Sequence, residues 1–193
     1  MGESATLSAG IIIAHKSVPL PTVLESLWDA EKNGAKSMPG KDGLCFRVIY
    51  GSGNQLEALM SAELLEKWWR CIENLTDEKI DSFAPALYRL SEELPQRVKL
   101  SPDCPIVRKA AGVILSCREE QLQARFENVL NWIEDWEQWA IKKQKETDDI
   151  PPIGTTIESL SALLRFTAFW VSKRVERLAW NTPTDMTNQK ESI

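Results

Sequence analysis

Histidine is all but missing from this chain of 193 residues: His15 is the single example, and no carboxylate or cysteine stands near it at a metal-site spacing. The four cysteines, Cys45, Cys71, Cys104 and Cys117, lie far apart with no Cys-x-x-Cys pair. That pattern argues against a zinc centre and for free thiols in a reducing compartment. No apolar run is long enough to span a bilayer, and none at the start follows a basic segment, so neither an anchor nor a signal peptide is predicted and the cytoplasm is the expected location. A basic excess is absent too. The 23 lysines and arginines face 28 acidic residues, for a formal charge of -5 with the signs interleaved. This excludes a broad electrostatic field for nucleic acid and restricts any RNA contact to local patches or surfaces shared with partners.

What remains is an ordinary globular composition, 43% hydrophobic and 26% charged, enough to bury a core in one or two small domains. Thr6 to His15 is a nearly unbroken apolar stretch rich in isoleucine, the pattern of a strand covered on both faces in the middle of a sheet. Pro19, Leu20 and Pro21 end it. Thr22 is placed to cap a helix whose Val23, Leu24, Leu27, Trp28 and Ala30 make one apolar face, finishing near Gly34. SMPGKDG is turn chemistry, Leu44 to Tyr50 alternates as a second strand, and a short third strand is predicted around Gln55 to Leu59. From Ser61 the periodicity is helical throughout. Helices are predicted at Ala62 to Asn74, Asp77 to Glu93, Pro105 to Cys117, Gln121 to Glu146 and Thr155 to Trp180, punctuated by Pro95, Pro102, Pro151 and Pro152. The division expected is 1–60, 61–182 and a polar tail at 183–193.

A buried strand needs neighbours on both sides, and this sequence supplies at most two others, a marginal sheet by itself. The strands therefore pair with a sheet on another chain, or the sequence is a piece of a longer protein; an unpaired isoleucine-rich edge is otherwise an aggregation site.

The segment from Thr6 to Asn54 resembles the end of the second palm domain in the large subunit of type III CRISPR effector complexes, particularly the Cmr type. The residues that carry the likeness are Ser8, Ala9 and Gly10 opening the strand, Ala14 and His15 closing it, the Pro19 and Leu20 step, Ala35 and Lys36 ending the helix, the Gly40 and Lys41 turn, and the strand from Leu44 to Tyr50. Their order is also that of the closing half of a GGDEF-type nucleotidyl cyclase palm. The remainder resembles the helical domain that ends the same subunit, with Phe83 to Leu94 and Ser159 to Glu176 as its better-marked pieces. The fold class implied is α+β: a partial palm-like, ferredoxin-like sheet segment followed by an all-α bundle similar to the small CRISPR subunit.

The same resemblance exposes what the chain does not carry. The family's catalytic hairpin holds Gly-Gly-Asp-Asp, whose carboxylates bind the divalent ions that activate one ATP against another. No Gly-Gly dipeptide occurs here, and the lone Asp-Asp pair, Asp148 and Asp149, precedes Ile150, Pro151 and Pro152 in an interhelical linker. The family's His-Asp nuclease pair is absent as well. On this sequence the chain is no enzyme alone.

Lys36 and Lys41 are the leading site candidates, because in palm-type cyclases a lysine in this helix-to-turn segment reaches the nucleotide triphosphate; a solvated turn at a helix end is the competing explanation. Ser8 and Gly10 stand where a small side chain admits a nucleotide base, or where a helix packs closely on the strand. Eight tryptophans are the oddest compositional feature. Trp132, Trp136 and Trp139 share one helical face and read as core, while Trp180 and one of Trp68 and Trp69 are candidates for a partner contact. Lys142, Lys143 and Lys145, with Lys173, Arg174 and Arg177, form basic clusters that are either a solvated face or, by the resemblance, a contact to guide or target RNA.

The resemblance thus implies a split or truncated large subunit of an RNA-guided antiviral effector. It would complete the nucleotide pocket of a separate palm fragment and dock its bundle on the small helical subunits. ATP and a divalent metal, Mg or Mn, would belong to the assembled complex rather than to this chain. The alternative is a non-catalytic helical adaptor that keeps a relic palm segment.

Overall fold

The computed structural model describes residues 6–73, 77–101, 103–116, 123–147 and 150–181, with the backbone alone at 77–82, 123–125 and 174–181. Strand β1 (Ala9–Ala14) leads into helix α1 (Leu20–Asp29), which continues as a π turn over Ala30–Gly34 and two short 3-10 turns before strand β2 (Gly43–Ile49) and strand β3 (Gln55–Ser61). The sheet order is β1-β2-β3, with β1 parallel to β2 and β3 antiparallel to it. The parallel pair requires a crossover, which α1 supplies. A bundle follows: α2 (Leu65–Ile72), α3 (Asp77–Arg97), α4 (Val107–Ser116), α5 (Gln123–Lys145) and α6 (Ile157–Asn181). The fold is α+β, a small mixed sheet followed by a helical bundle.

Residue parity decides what each sheet face meets. Phe46 of β2 stacks on Phe166 of α6 at a centroid distance of 4.5 Å, so Leu44, Phe46 and Val48 face the bundle. Arg47 turns to the opposite face and bonds Ser26 and Asp29 of α1. All seven residues of β2 are buried. In the bundle α3 and α6 pack most extensively, α4 and α2 lean on α5, and α6 also lies against β3. One apolar cluster runs unbroken from Cys45 and Phe46 through Trp68 to Leu90, Trp136 and Phe166.

Several expectations need correcting. Among the described residues β2, not β1, is the strand with a neighbour on each side, and β1 lies at the edge. Thr22 does not cap α1; the helix starts one turn's length earlier, at Leu20, with Pro19 as the N-cap, whose extended backbone (φ -60, ψ 139) suits the position without a side-chain bond. The apolar face expected of that helix is only half covered, since Ala30 is buried while Leu24 and Trp28 are exposed. α3 does not stop at Glu93 but runs through Pro85 and Pro95 to Arg97. Pro95 removes the amide that would bond the Ser91 carbonyl, and the Ser161 hydroxyl of α6 supplies that donor at 2.6 Å.

Trp132, Trp136 and Trp139 are buried as core, as their spacing predicts. Pro102, Cys117, the Asp148 and Asp149 pair and the 183–193 tail lie outside the described residues. Among the described residues no helix is long and apolar enough to cross a membrane.

Candidate functional site

The feature that distinguishes this fold is the open edge of β1. The His15 amide donates to the Ile49 carbonyl at 2.9 Å. Since parallel strands alternate the direction of their backbone groups, Ile11 and Ile13 also point toward β2. Gly10, Ile12 and Ala14 therefore point their N–H and C=O groups outward, and no strand pairs with them among the described residues.

Apolar surface flanks this edge on both faces. On the α1 face, Ser26 and Asp29 turn to Arg47, and the backbone at Leu27, Ala30 and Glu31 lies over Gly10. One further step around the helix, at about 100° per residue, brings Leu20, Leu24 and Trp28 out past the edge. They stand at i, i+4 and i+8 and are all exposed, Trp28 at 64%. On the bundle face lies a groove of about 560 Å³ lined by Ile11, Leu44, Phe46, Leu65, Trp69 and Trp170. Ile11 and Trp69 open to solvent there, at 38% and 46%.

The residues singled out from the sequence gather at the amino-terminal end of this edge. Ser8 Oγ donates to the Lys41 carbonyl at 2.6 Å, tying β1 to the turn before β2. In that turn Gly40 (φ 76) and Lys41 (φ 53) are both left-handed, a conformation natural for the glycine and costly for the lysine. A Cβ on Gly10 would lie 2.9 Å from the Glu31 nitrogen, so the missing side chain lets α1 sit directly on the strand. Glu31 in turn holds Lys36, whose Nζ lies 2.6 Å from its carboxylate on an exposed turn. The four candidates thus form two adjoining contacts, Ser8 with Lys41 and Gly10 beside the Glu31 and Lys36 pair.

The remaining candidates lie elsewhere. Trp68 is 3% exposed and donates its indole N–H to Thr167 Oγ1 at 2.8 Å, leaving Trp69 as the indole at the surface. Lys142 and Lys145 are exposed in the last turn of α5, and Lys143 pairs with Glu146 at 3.0 Å. Lys173 is half-buried on α6; the side chains of Arg174, Arg177 and Trp180 lie outside the described residues. His15 is exposed, its Nδ1 2.8 Å from Ser17 Oγ.

Sequence reasoning missed the charged cluster centred on Arg47. Its guanidinium reaches Glu57 of β3, Asp29 of α1 at 2.8 Å and the Ser26 hydroxyl at 3.0 Å, although the side chain is nearly buried. Arg47 holds the Asp29 carboxyl below its ordinary value, with help from Asn33. The signal was an arginine inside the apolar strand LCFRVI, with Glu57 opposite it on the next strand. Burial pushes the thiol of neighbouring Cys45 up to about 12. No three His, Cys, Asp or Glu side chains converge on a metal-sized site among the described residues.

No family model matches the sequence. Over 131 residues, 67% of the chain, the sequence is 28% identical to the protein described as CRISPR system Cmr subunit Cmr2 from Pyrococcus furiosus. The match covers 15% of that protein, so the chain corresponds to a small part of it.

Proposed function

We propose that this chain works as a component of a type III CRISPR effector, as the closing part of a divided large subunit. The observation that carries the proposal is the open edge of β1, read together with the similarity to Cmr2. β2 is completely buried, whereas the outer edge of β1 is free of charge and has no strand paired with it among the described residues, which supports completion of the sheet by further palm sequence. The partner is a separately encoded palm fragment bearing Gly-Gly-Asp-Asp, and its carboxylates, not this chain's, hold the Mg or Mn ions.

In this reading the chain's own contribution to the nucleotide pocket is Lys36. Its ammonium is a mobile point charge on an exposed turn, matched to Glu31 until a triphosphate competes for it. Lys41, Ser8 and Gly10 shape the same end of the edge. ATP supplies the phosphoanhydride chemistry when bound; this chain orients it and stabilises its charge. The bundle docks on the small helical subunits beside guide and target RNA, with Lys142, Lys143 and Lys173 as phosphate contacts together with Arg174 and Arg177 and with Trp180 at the partner surface. The assembly has no membrane component.

A non-catalytic adaptor with a relic palm is the second reading. It is favoured by the same Lys36 to Glu31 pair and by the helix backbone seated on Gly10, which together leave the α1 side of the strand already filled. Co-expression with the neighbouring genes and affinity purification tests the assembly: recovery of a Gly-Gly-Asp-Asp protein, small helical subunits and guide RNA supports it, and recovery of the chain alone without RNA rejects it. Nucleotide titration of the purified complex separates the two readings. Loss of ATP affinity on Lys36→Ala supports the completed pocket, whereas unchanged affinity favours the adaptor.

A further inference from the structure

Residues 36–42 form the turn that carries Lys36 and Lys41, and Met38 alone among them is buried, at 2% exposure. Its backbone serves both halves of the turn. The Met38 amide donates to the Ala35 carbonyl at 3.3 Å, closing the 3-10 turn around Lys36, and its carbonyl accepts from the Lys41 amide at 3.0 Å. The side chain leads away from the turn. A Cβ on Gly43, where β2 begins, would lie 2.8 Å from Met38 Sδ, and one on Gly154, between α5 and α6, would lie 2.9 Å from Met38 Cε. Two glycines from distant parts of the chain thus leave room for one thioether. The connection it reaches is itself fixed. Thr155 is fully buried, its hydroxyl donates to the Pro152 carbonyl at 2.7 Å, and Gln144 of α5 donates to the Thr155 carbonyl at 2.8 Å.

We propose that Met38 is the positioning residue through which the α5–α6 connection of the bundle sets the turn carrying Lys36 and Lys41. The other contacts of that turn come from the sheet half: Glu31 pairs with Lys36, and Ser8 donates to the Lys41 carbonyl. Met38 brings the bundle into it. An unbranched thioether suits the task, since it reaches past the start of β2 into an irregular gap and has no hydrogen bond to satisfy. Filling space alone would ask only for an apolar side chain of the right volume. What singles Met38 out is that the residue whose tip meets the connection is also the one whose amide and carbonyl bond the two lysine-bearing halves. Close packing against Gly43 leaves the thioether little free volume, so a displacement of the connection at Cε is passed to the backbone between the lysines. The position of the bundle is thereby read at the lysines. The inference deepens the reading above and rests on it only for the triphosphate that the lysines meet.

The test follows the backbone amide resonances of Lys36, Ser37 and Lys41 by NMR in the full chain, without nucleotide. Gly154→Ala places a methyl group against Met38 Cε and shifts all three. Alanine at that position also strains a backbone at φ 86. Gly53→Ala, at φ 85 with open space around it, is therefore the control for strain, and it leaves the three resonances in place. In a Met38→Ala background Gly154→Ala no longer shifts them, the non-additivity expected of residues coupled by contact. Where Met38→Ala costs the chain its fold, Met38→Leu, which keeps bulk beside Gly43 and lacks Cε, takes its place with the same result. Equal shifts with and without the methionine overturn the inference and make Met38 a core residue only. An absence of shifts in the Gly154→Ala chain overturns it too, because the turn is then independent of the connection. Nucleotide affinity is read separately in the purified complex with Lys36→Ala, so the positioning role and the nucleotide reading can fail independently.

Discussion

The Ser161 hydroxyl of α6 donates to the Ser91 carbonyl of α3 at 2.6 Å, standing in for the amide that Pro95 lacks. A proline inside a helix ordinarily orphans the carbonyl four residues before it. Here the neighbouring helix fills the vacancy, and α3 continues to Arg97. Removing the hydroxyl with Ser161→Ala strands a buried acceptor and lowers stability by about 1–3 kcal/mol. Pro95→Ala returns a backbone donor to the same carbonyl, so it stabilises the Ser161→Ala chain more than the wild type. A double-mutant cycle by chemical denaturation measures the difference, and equal effects in the two backgrounds would show that the two donors do not substitute for each other.

Glu137 of α5 is 2% exposed and accepts hydrogen bonds from the Val107 amide at 3.0 Å and the Arg108 amide at 3.4 Å. It caps α4 from another helix, where first-turn amides need acceptors and a negative charge is favoured. Glu137→Ala costs about 2–3 kcal/mol through the lost charge-assisted bonds, while Glu137→Gln, which keeps one acceptor, costs less. Thermal unfolding ranks the pair. Amide exchange should quicken first at Val107 and Arg108.

Acid weakens the cluster around Arg47. Arg47 and Asn33 hold the Asp29 carboxyl below its ordinary 3.8, so its contribution to stability is complete above that value and is lost as pH falls below it. Asp29→Asn therefore flattens the acid limb of stability against pH below 3.8 and leaves the slope in the neutral region unchanged. Unfolding curves across the acid range check this, and an unaltered limb places the acid sensitivity elsewhere.

Thiol labelling distinguishes the cysteines. Burial pushes Cys45 and Cys71 up to about 12, while Cys104 is exposed. At mildly alkaline pH an alkylating reagent modifies Cys104 rapidly and spares Cys45 and Cys71 until the chain unfolds. Peptide mass spectrometry after timed labelling reads the order directly.

The helical half was legible because its signals are local: a 3.6-residue period and turn residues between elements placed α2, α4, α5 and α6 within a few residues. Pro95 misled because its compensation comes from Ser161, distant in sequence and adjacent in space. The three strands were legible from composition and turns, yet their order was not, since apolarity says that a strand is buried and not by which chain. β1 looks central by its isoleucines and lies at an edge among its own neighbours. Lys36, Lys41, Ser8 and Gly10 came together at one end of that edge, whereas the groove escaped notice because Ile11, Phe46, Trp69 and Trp170 belong to four elements with no shared period. Arg47 was passed over as one charge in a strand.

The bond from Trp68 to Thr167 joins residues 99 positions apart, and Phe46 waits for Phe166 across a still longer interval. On the ribosome the sheet and α2 are finished long before their covering arrives. Until α6 has cleared the exit tunnel, the rings of Phe46 and Trp68 face solvent together, a sticky surface of the kind that holding chaperones recognise. Helix α6 is the element that covers this surface, and a chain cut short before Phe166 is predicted to leave Phe46 and Trp68 exposed.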